Sequence, residues 1–417
     1  MTDSKAIRSV IILTLSRLVV NMTRRFTYPF IPTISRQLGV PISSVQSIIA
    51  LQSSSGLVSP LVGPWADQFG AKRIAASMVL LITASAFITA AIPQIWIFAL
   101  AMVLFGISKA SFDPAAYAYL GNTIPYQQRG TVIGIVELSW AASLLIVAPL
   151  AGLLLGFSDL PTGLSIMQEI ANLPALSFST PYGLQLVLLV LGVLSLIAYL
   201  GIQIGIPRAK SSTKQKQPIV TPIKAFKIIR NSTAAMAAVG YSVLLTIANE
   251  IFFINYGLFM EINHGLTLVA LGGVTVVISL AEFIGEVSII GLVDRIGKRR
   301  MALAGVLISS IMYLILPAIN VSLSLALVMI FVMFLGVEIS IVAALPLFTE
   351  ILPQHRATVM SSAMGGSALG RLLGAGLGGV IYAIAQNFVI TGGVAMAIGI
   401  GCFTLMWWFI PEIVEVP

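Results

Sequence analysis

From residue 7 to 206, and again from 232 to 411, this chain runs through apolar stretches in which a charged residue is the exception. One helical crossing of a bilayer consumes about 20 apolar residues, so a chain of this length holds about a dozen. Charged residues fill 9% of the 417 positions and hydrophobic ones 58%, whereas an average soluble domain is about 25% charged. The mean hydropathy is +1.02. Too few polar atoms remain to cover a globule in water, so the expected solvent is lipid. There every backbone N–H and C=O must be paired inside the protein, which a helix does within one segment. The alternating apolar pattern of a membrane barrel is absent. The expected fold is all-α and integral to the membrane, with 12 transmembrane helices.

Apolar runs and their breakers place spans at 7–34, 43–66, 73–92, 95–119, 131–157 and 182–206. A second set follows at 232–259, 266–290, 300–319, 322–347, 358–386 and 389–411. The polar, lysine-rich segment 207–231 reads as a cytoplasmic linker between six-helix bundles at 1–206 and 232–417. With the N-terminus inside, 17 Lys and Arg fall in cytoplasmic segments, Arg36 alone falls in an outer loop, and five lie within spans. That asymmetry is the positive-inside signal. It predicts a multi-pass inner (plasma) membrane protein with both termini cytoplasmic, and it assigns the net charge of +8 to anionic headgroups rather than nucleic acid. Cys402 is the single cysteine, and His264 and His355 lie in separate loops, so neither an internal disulfide nor a histidine metal site is expected. Arg17, Arg24 and Arg25 interrupt the first span too soon for a cleavable signal. Leu164–Leu176 reads equally as an interfacial helix or a loop.

The two halves share a register. Asp67-Gln-Phe-Gly70 recurs as Asp294-Arg-Ile-Gly297, 227 residues later (294 minus 67). Arg129 and Arg356 stand in the same register, as do Gly152 and Gly379. Two parallel six-helix repeats related by a pseudo-two-fold place a substrate site near the midplane between them.

The loop after the second span, Gly63-Pro-Trp-Ala-Asp67-Gln-Phe-Gly70-Ala-Lys72-Arg73, resembles the signature of the major facilitator superfamily, G-x-x-x-D-x-x-G-x-[KR]-[KR]. Its second copy, Asp294 to Arg300, departs only at the leading glycine, where Ile290 stands. In character the chain looks most like the 12-span drug:proton antiporter-like branch, through Ala148-Pro149-Leu-Ala-Gly152 in the fifth span, although alanine replaces the expected glycine before proline. The resemblance implies a cytoplasmic gate formed by Gly63, Asp67, Gly70, Lys72, Arg73, Asp294 and Gly297. Arg129, Glu137, Glu282, Glu286 and Arg356 join that gate, with Arg295 and Arg299 expected beside the two glutamates of the eighth span. The glycine-rich run Gly370–Gly379 reads as close packing or as a hinge.

Ionisable groups inside the hydrocarbon cost a few kcal/mol each and are candidates for function. At about 100° per residue, Arg17, Asn21, Arg24 and Tyr28 share a sector of about 60° that is expected to face the central cavity, with Arg25 beside it. Arg17 alternatively snorkels towards the cytoplasm. Pro29 and Pro32 loosen the outer end of that helix. Lys109 and Asp113 are spaced to pair on one face. Asn249, Glu250, Asn255 and Tyr256 form the polar set of the seventh span, with Glu250 at nearly the depth of Arg24. Glu338 and Arg371 complete the substrate and proton-coupling candidates.

No Walker-type glycine loop with lysine is present, so ATP is not the expected energy source. No nucleophile–base pair or metal cluster marks an enzyme, and no cofactor is expected. The leading expectation is a monomeric secondary transporter, driven by protons, that exports a small amphipathic or anionic organic solute by alternating access. A lipid or lipid-precursor flippase of the same fold and a non-transporting scaffold or sensor are the alternatives.

Overall fold

The computed structural model describes residues 4–58, 70–124, 132, 135–156, 182–207, 222–319, 322–352 and 355–411. Among them the chain is helical throughout, in 16 α-helices and one short 3₁₀ turn at Ser55–Val58. The first bundle holds α1 (Ser4–Arg25), α2 (Ile31–Leu38), α3 (Ile42–Ser54), α4 (Ala71–Ala91), α5 (Ile95–Thr123), α6 (Ser139–Gly156) and α7 (Tyr182–Gly205). Then come α8 (Pro222–Arg230), α9 (Thr233–Phe253), α10 (Tyr256–His264) and α11 (Leu268–Val274). The remainder is α12 (Val276–Ile296), α13 (Lys298–Ala318), α14 (Leu323–Ile351), α15 (Arg356–Ala385) and α16 (Phe388–Phe409). Eleven described helical stretches are long and apolar enough to cross a membrane. The expected second span is described only through Val58. The interfacial-helix question at Leu164–Leu176 lies outside the described residues.

Three expected spans are broken rather than continuous. The first ends at Arg25 and resumes at Ile31, and its repeat mate ends at Phe253 and resumes at Tyr256. Pro29 supplies no N–H to the carbonyl of Arg25, so the helical ladder cannot run through. At the second break Asn255 does the corresponding work. Its Nδ2 donates to the carbonyl of Ile251 at 3.0 Å and to that of Gly378 on α15 at 3.0 Å. The eighth span likewise pauses at Thr275 between α11 and α12.

Two compact units emerge. One comprises residues 1–215 with 260–276, the other 216–259 with 277–417. Inside the first, α1 packs on α5, α6 and α7, while α4 packs on α5 and α7. Among the contacts that join the segment 260–276 to this unit are an ion pair and a close helix approach. Arg36 of α2 forks onto both carboxylate oxygens of Glu261 on α10, at 2.6 and 3.3 Å. On α6, a Cβ at Gly152 would stand 2.6 Å from the carbonyl of Leu268 and 3.2 Å from Cα of Gly272 on α11. Because the Arg36 side chain is 56% exposed, reversing it to glutamate is expected to cost only about 0–1 kcal/mol. Pairing Arg36→Glu with Glu261→Arg should restore the unfolding midpoint, and a double-mutant thermal series checks this.

In the second unit α9 packs on α15 and α16, and α13 packs on α14 and α16. Ser232, Ser322 and Asn387 cap their helices by accepting from backbone N–H groups. The repeated Asp-x-x-Gly has a conformational basis. Gly70 and Gly297, in the same register, open α4 and α13 with φ of 89° and 98°. Side-chain-bearing residues rarely adopt such angles. Gly297→Val is therefore expected to destabilise the protein by about 1–3 kcal/mol, read as a lower thermal unfolding midpoint in detergent.

Candidate functional site

Within the first unit, three helices bring their charges to one place. α1 contributes Arg17, α5 contributes Lys109 and Asp113, and the start of the fifth span contributes Glu137. Arg17 Nε donates to Asp113 Oδ1 at 3.2 Å, and its Nη2 donates to Glu137 Oε2 at 2.9 Å. Its Nη1 donates to the carbonyl of Val136 and to Ser139 Oγ. Lys109 Nζ donates to Asp113 Oδ2 at 2.5 Å, and the Tyr117 hydroxyl donates to Glu137 Oε1. Two cations meet two carboxylates, so the cluster is balanced in charge. That balance offsets the cost of taking these groups out of water.

Burial is uneven across the cluster. The Arg17 side chain is 5% exposed and that of Asp113 21%, whereas Glu137 is 45% exposed. Arg17 thus neither snorkels nor lines an opening: it is the hub of an internal network. Asn21 and Tyr28 are buried as well. Asn21 donates to Ser139 Oγ at 3.4 Å. Arg17 and Asn21 of the shared sector are thus both held against Ser139 at the start of α6. Arg24 is half-buried and reaches Ser53 Oγ at 3.5 Å. Arg25 donates to the carbonyl of Trp140 at 2.9 Å and lies 4.3 Å over its ring, while Lys109 sits 5.8 Å from the same ring.

Glu137, read from sequence with the gate, belongs to this network. Tyr117 and Ser139 were not singled out from sequence. Helical spacing within α5 would have found Tyr117, which follows Asp113 by one turn and so shares its face.

In the second unit Glu250 of α9 is buried, and its Oε1 stands 3.9 Å from Nε of Arg371 on α15. Asn249 accepts from the Tyr313 hydroxyl at 3.4 Å. Tyr256 is fully buried, its ring beside Phe253. Glu338 is buried on α14, where a Cβ at Gly285 of α12 would meet it at 2.8 Å. The run Gly370–Gly379 serves close packing: Gly370, Gly374 and Gly378 face α9. A Cβ on Gly374 would stand 2.8 Å from Cβ of Glu250, so this contact is what brings Arg371 beside that carboxylate.

The expected gate is described in part. Gly63, Asp67 and Arg129 lie outside the described residues, as do the side chains of Asp294 and Arg356. Lys72 donates to the carbonyls of Gln203 and Ile206 at 2.9 and 2.6 Å, closing the end of α7, and Arg73 is exposed. Arg299, expected beside Glu282 and Glu286, donates to the carbonyl of Trp407 and lies 5.5 Å from its ring. Lys298 pairs with Glu350. Glu282 is buried and Glu286 half-buried on α12.

Comparison with known proteins agrees with this architecture. The sequence matches the profile of the Major Facilitator Superfamily over residues 13–292 and 244–416. It is 23% identical to the MFS-type transporter YwfA of Bacillus subtilis over 388 residues, covering 90% of this chain and 86% of that protein. Multidrug resistance protein 2 of the same bacterium is 20% identical, covering 91% and 90%. Among solved structures, a bacterial homologue of the human lysosomal transporter Spinster superposes with a TM-score of 0.73 at 18% identity, covering 97% of this chain and 92% of that one.

Proposed function

The chain belongs to the major facilitator superfamily and is a membrane transporter rather than an enzyme; from that premise we propose that it moves a small amphipathic or anionic organic solute by alternating access, with protons as the coupling ion. The membrane is a bacterial-type inner membrane with both chain ends in the cytoplasm, and the working form is a monomer. For an amphiphile without negative charge the direction is outward, in keeping with the name of the multidrug resistance relative. Gly70, Gly297 and their neighbours act as the cytoplasmic gate.

The observation that carries the reading is the sharing of one buried guanidinium, Arg17, between two carboxylates of unequal exposure. Glu137 is the more exposed of the two and so the one that water reaches. A proton taken up by Glu137 neutralises one of Arg17's two carboxylate partners and leaves Asp113 as the charged one. The cluster then carries one extra positive charge, which a conformational change relieves by exposing Glu137 to the other side and releasing the proton. A two-state element biased by one proton is what coupling requires.

The test is transport in liposomes holding an internal pH dye, screened with organic acids, sugars, drugs and lysolipids. Substrate-driven proton flux is expected in the unaltered protein and should fall roughly tenfold or more in Glu137→Gln, with solute-induced thermal shifts retained. Undiminished flux in that variant would remove Glu137 from the coupling path. Silence of the unaltered protein towards every compound would favour the scaffold reading.

A further inference from the structure

The short helix α8 runs almost directly into α9. Only Asn231 and Ser232 separate them. Backbone bonds close that turn, from Asn231 N to the carbonyl of Lys227 at 3.2 Å and from Ser232 N to that of Ile229 at 3.1 Å. Two residues reach about 7 Å at most. Thr233, the first residue of α9, also opens the stretch Thr233–His264, which is long and apolar enough to cross a membrane. α8 is therefore held at the depth where that crossing begins.

Its side chains are sorted to match. Ile229 is buried with Ala238, Tyr241 and Val359 in the core of the second unit, and α8 packs on both α9 and α15. Phe226, one turn before Ile229, is 60% exposed, so the protein covers part of the apolar side of α8 and leaves this ring bare. Lys227 and Arg230 are exposed, and a spacing of three sets them on one face. Neither has an ion-pair partner among the described residues. From 207 to 231 the chain carries seven Lys and Arg and no Asp or Glu, so nothing local neutralises them. A bare aromatic ring flanked by unpaired cations, at the end of a span, has the chemistry of a helix that lies in the bilayer interface. An acidic soluble protein would also match the cations, but a helix tied within two residues of a span meets lipid headgroups first.

We propose that α8 binds anionic phospholipid: Phe226 inserts at the boundary between headgroups and acyl chains, and Lys227 and Arg230 hold the headgroup phosphates. The leaflet is the cytoplasmic one, which follows from the topology proposed above, while the contact itself requires no transport. Because α8 packs on α9 and α15 together, lipid held there ties the adjoining ends of those two helices. Anionic lipid binds the folded second unit and not the unfolded chain's scattered cations in the same arrangement, so it stabilises the fold.

The full-length protein is placed in nanodiscs of phosphatidylcholine alone or of phosphatidylcholine and phosphatidylglycerol in equal parts, and its thermal unfolding is followed. The midpoint should be higher with phosphatidylglycerol, and added salt should shrink the gain. Lys227→Glu combined with Arg230→Glu should lose at least about half of that gain and keep the midpoint in phosphatidylcholine, whereas Lys227→Arg with Arg230→Lys should keep both. Inorganic phosphate added to phosphatidylcholine discs should give no comparable rise. Depth is read separately from a nitroxide on Phe226→Cys, a thiol labelled alone because Cys402 is fully buried. Oxygen dissolved in the bilayer should relax that label more than a water-soluble nickel chelate does. A full phosphatidylglycerol gain in the charge-reversed variant, an equal gain from inorganic phosphate, or a label relaxed chiefly by the chelate would each overturn the proposal, the last leaving the face to a soluble partner. Both faces of a nanodisc carry the same lipid, so the outcome is independent of which side the chain ends occupy and of any transport measured in liposomes.

Discussion

Replacing Arg17 by methionine is expected to destabilise the protein by about 3–5 kcal/mol, the largest single-residue effect in the first unit. The side chain is 5% exposed and donates to Asp113, Glu137, Ser139 and the carbonyl of Val136. Methionine fills much of the same volume, so the loss comes less from a void than from two carboxylates left with one lysine between them. Thermal unfolding of detergent-purified protein measures it. The origin of the loss is separable, because adding Asp113→Asn and Glu137→Gln to Arg17→Met removes the surplus negative charge. The triple variant should recover a substantial part of the midpoint lost by the single one. If the single variant unfolds within a few degrees of the unaltered protein, the cluster is not the internal keystone that its geometry implies.

Replacing Gly374 by leucine is expected to prevent the second unit from assembling. A Cβ at this position would stand 2.8 Å from Cβ of Glu250, 2.8 Å from the carbonyl oxygen of Ile247 and 2.9 Å from its Cα. Two of these three neighbours are backbone atoms, which cannot retreat unless α9 and α15 separate. Overpacking of well-fitted interiors costs about 1–3 kcal/mol for added methylenes and more where backbone must move. Size-exclusion profiles should show the monodisperse peak lost for Gly374→Leu and reduced for Gly374→Ala. Gly376→Ala, two residues on, is the control: its Cβ would meet nothing within 4 Å, so its profile should be unchanged.

The spans were legible because hydrocarbon imposes a length and a composition on anything that crosses it. The break at Arg25–Ile31 was half legible, since Pro29 announces it. The matching break at Phe253–Tyr256 has no proline and depends on Asn255 reaching a carbonyl on α15, a contact 123 residues away in sequence. The Lys109–Asp113 pair could be read from its spacing of four, because both residues share one helix face. The rest of that cluster could not. Arg17 meets Asp113 across 96 residues and Glu137 across 120, and no periodicity within one helix encodes which neighbour it will face. Glu137 was consequently grouped by its depth along the span, while its partners are set by how α1, α5 and the fifth span pack.

The grouping of residues 260–276 with the first unit bears on the order in which this protein can be made. A ribosome that has delivered the first 215 residues has supplied most of that unit and none of its last piece. Arg36 then has no Glu261, and the small-residue face around Gly152 has no Gly272 to lie against. Those contacts become available only after the linker, α8 and the whole of α9 have emerged and been threaded through the bilayer. The last contacts of the first unit can thus form only once residues 260–276 have been made, by which point the chain has already entered the second unit.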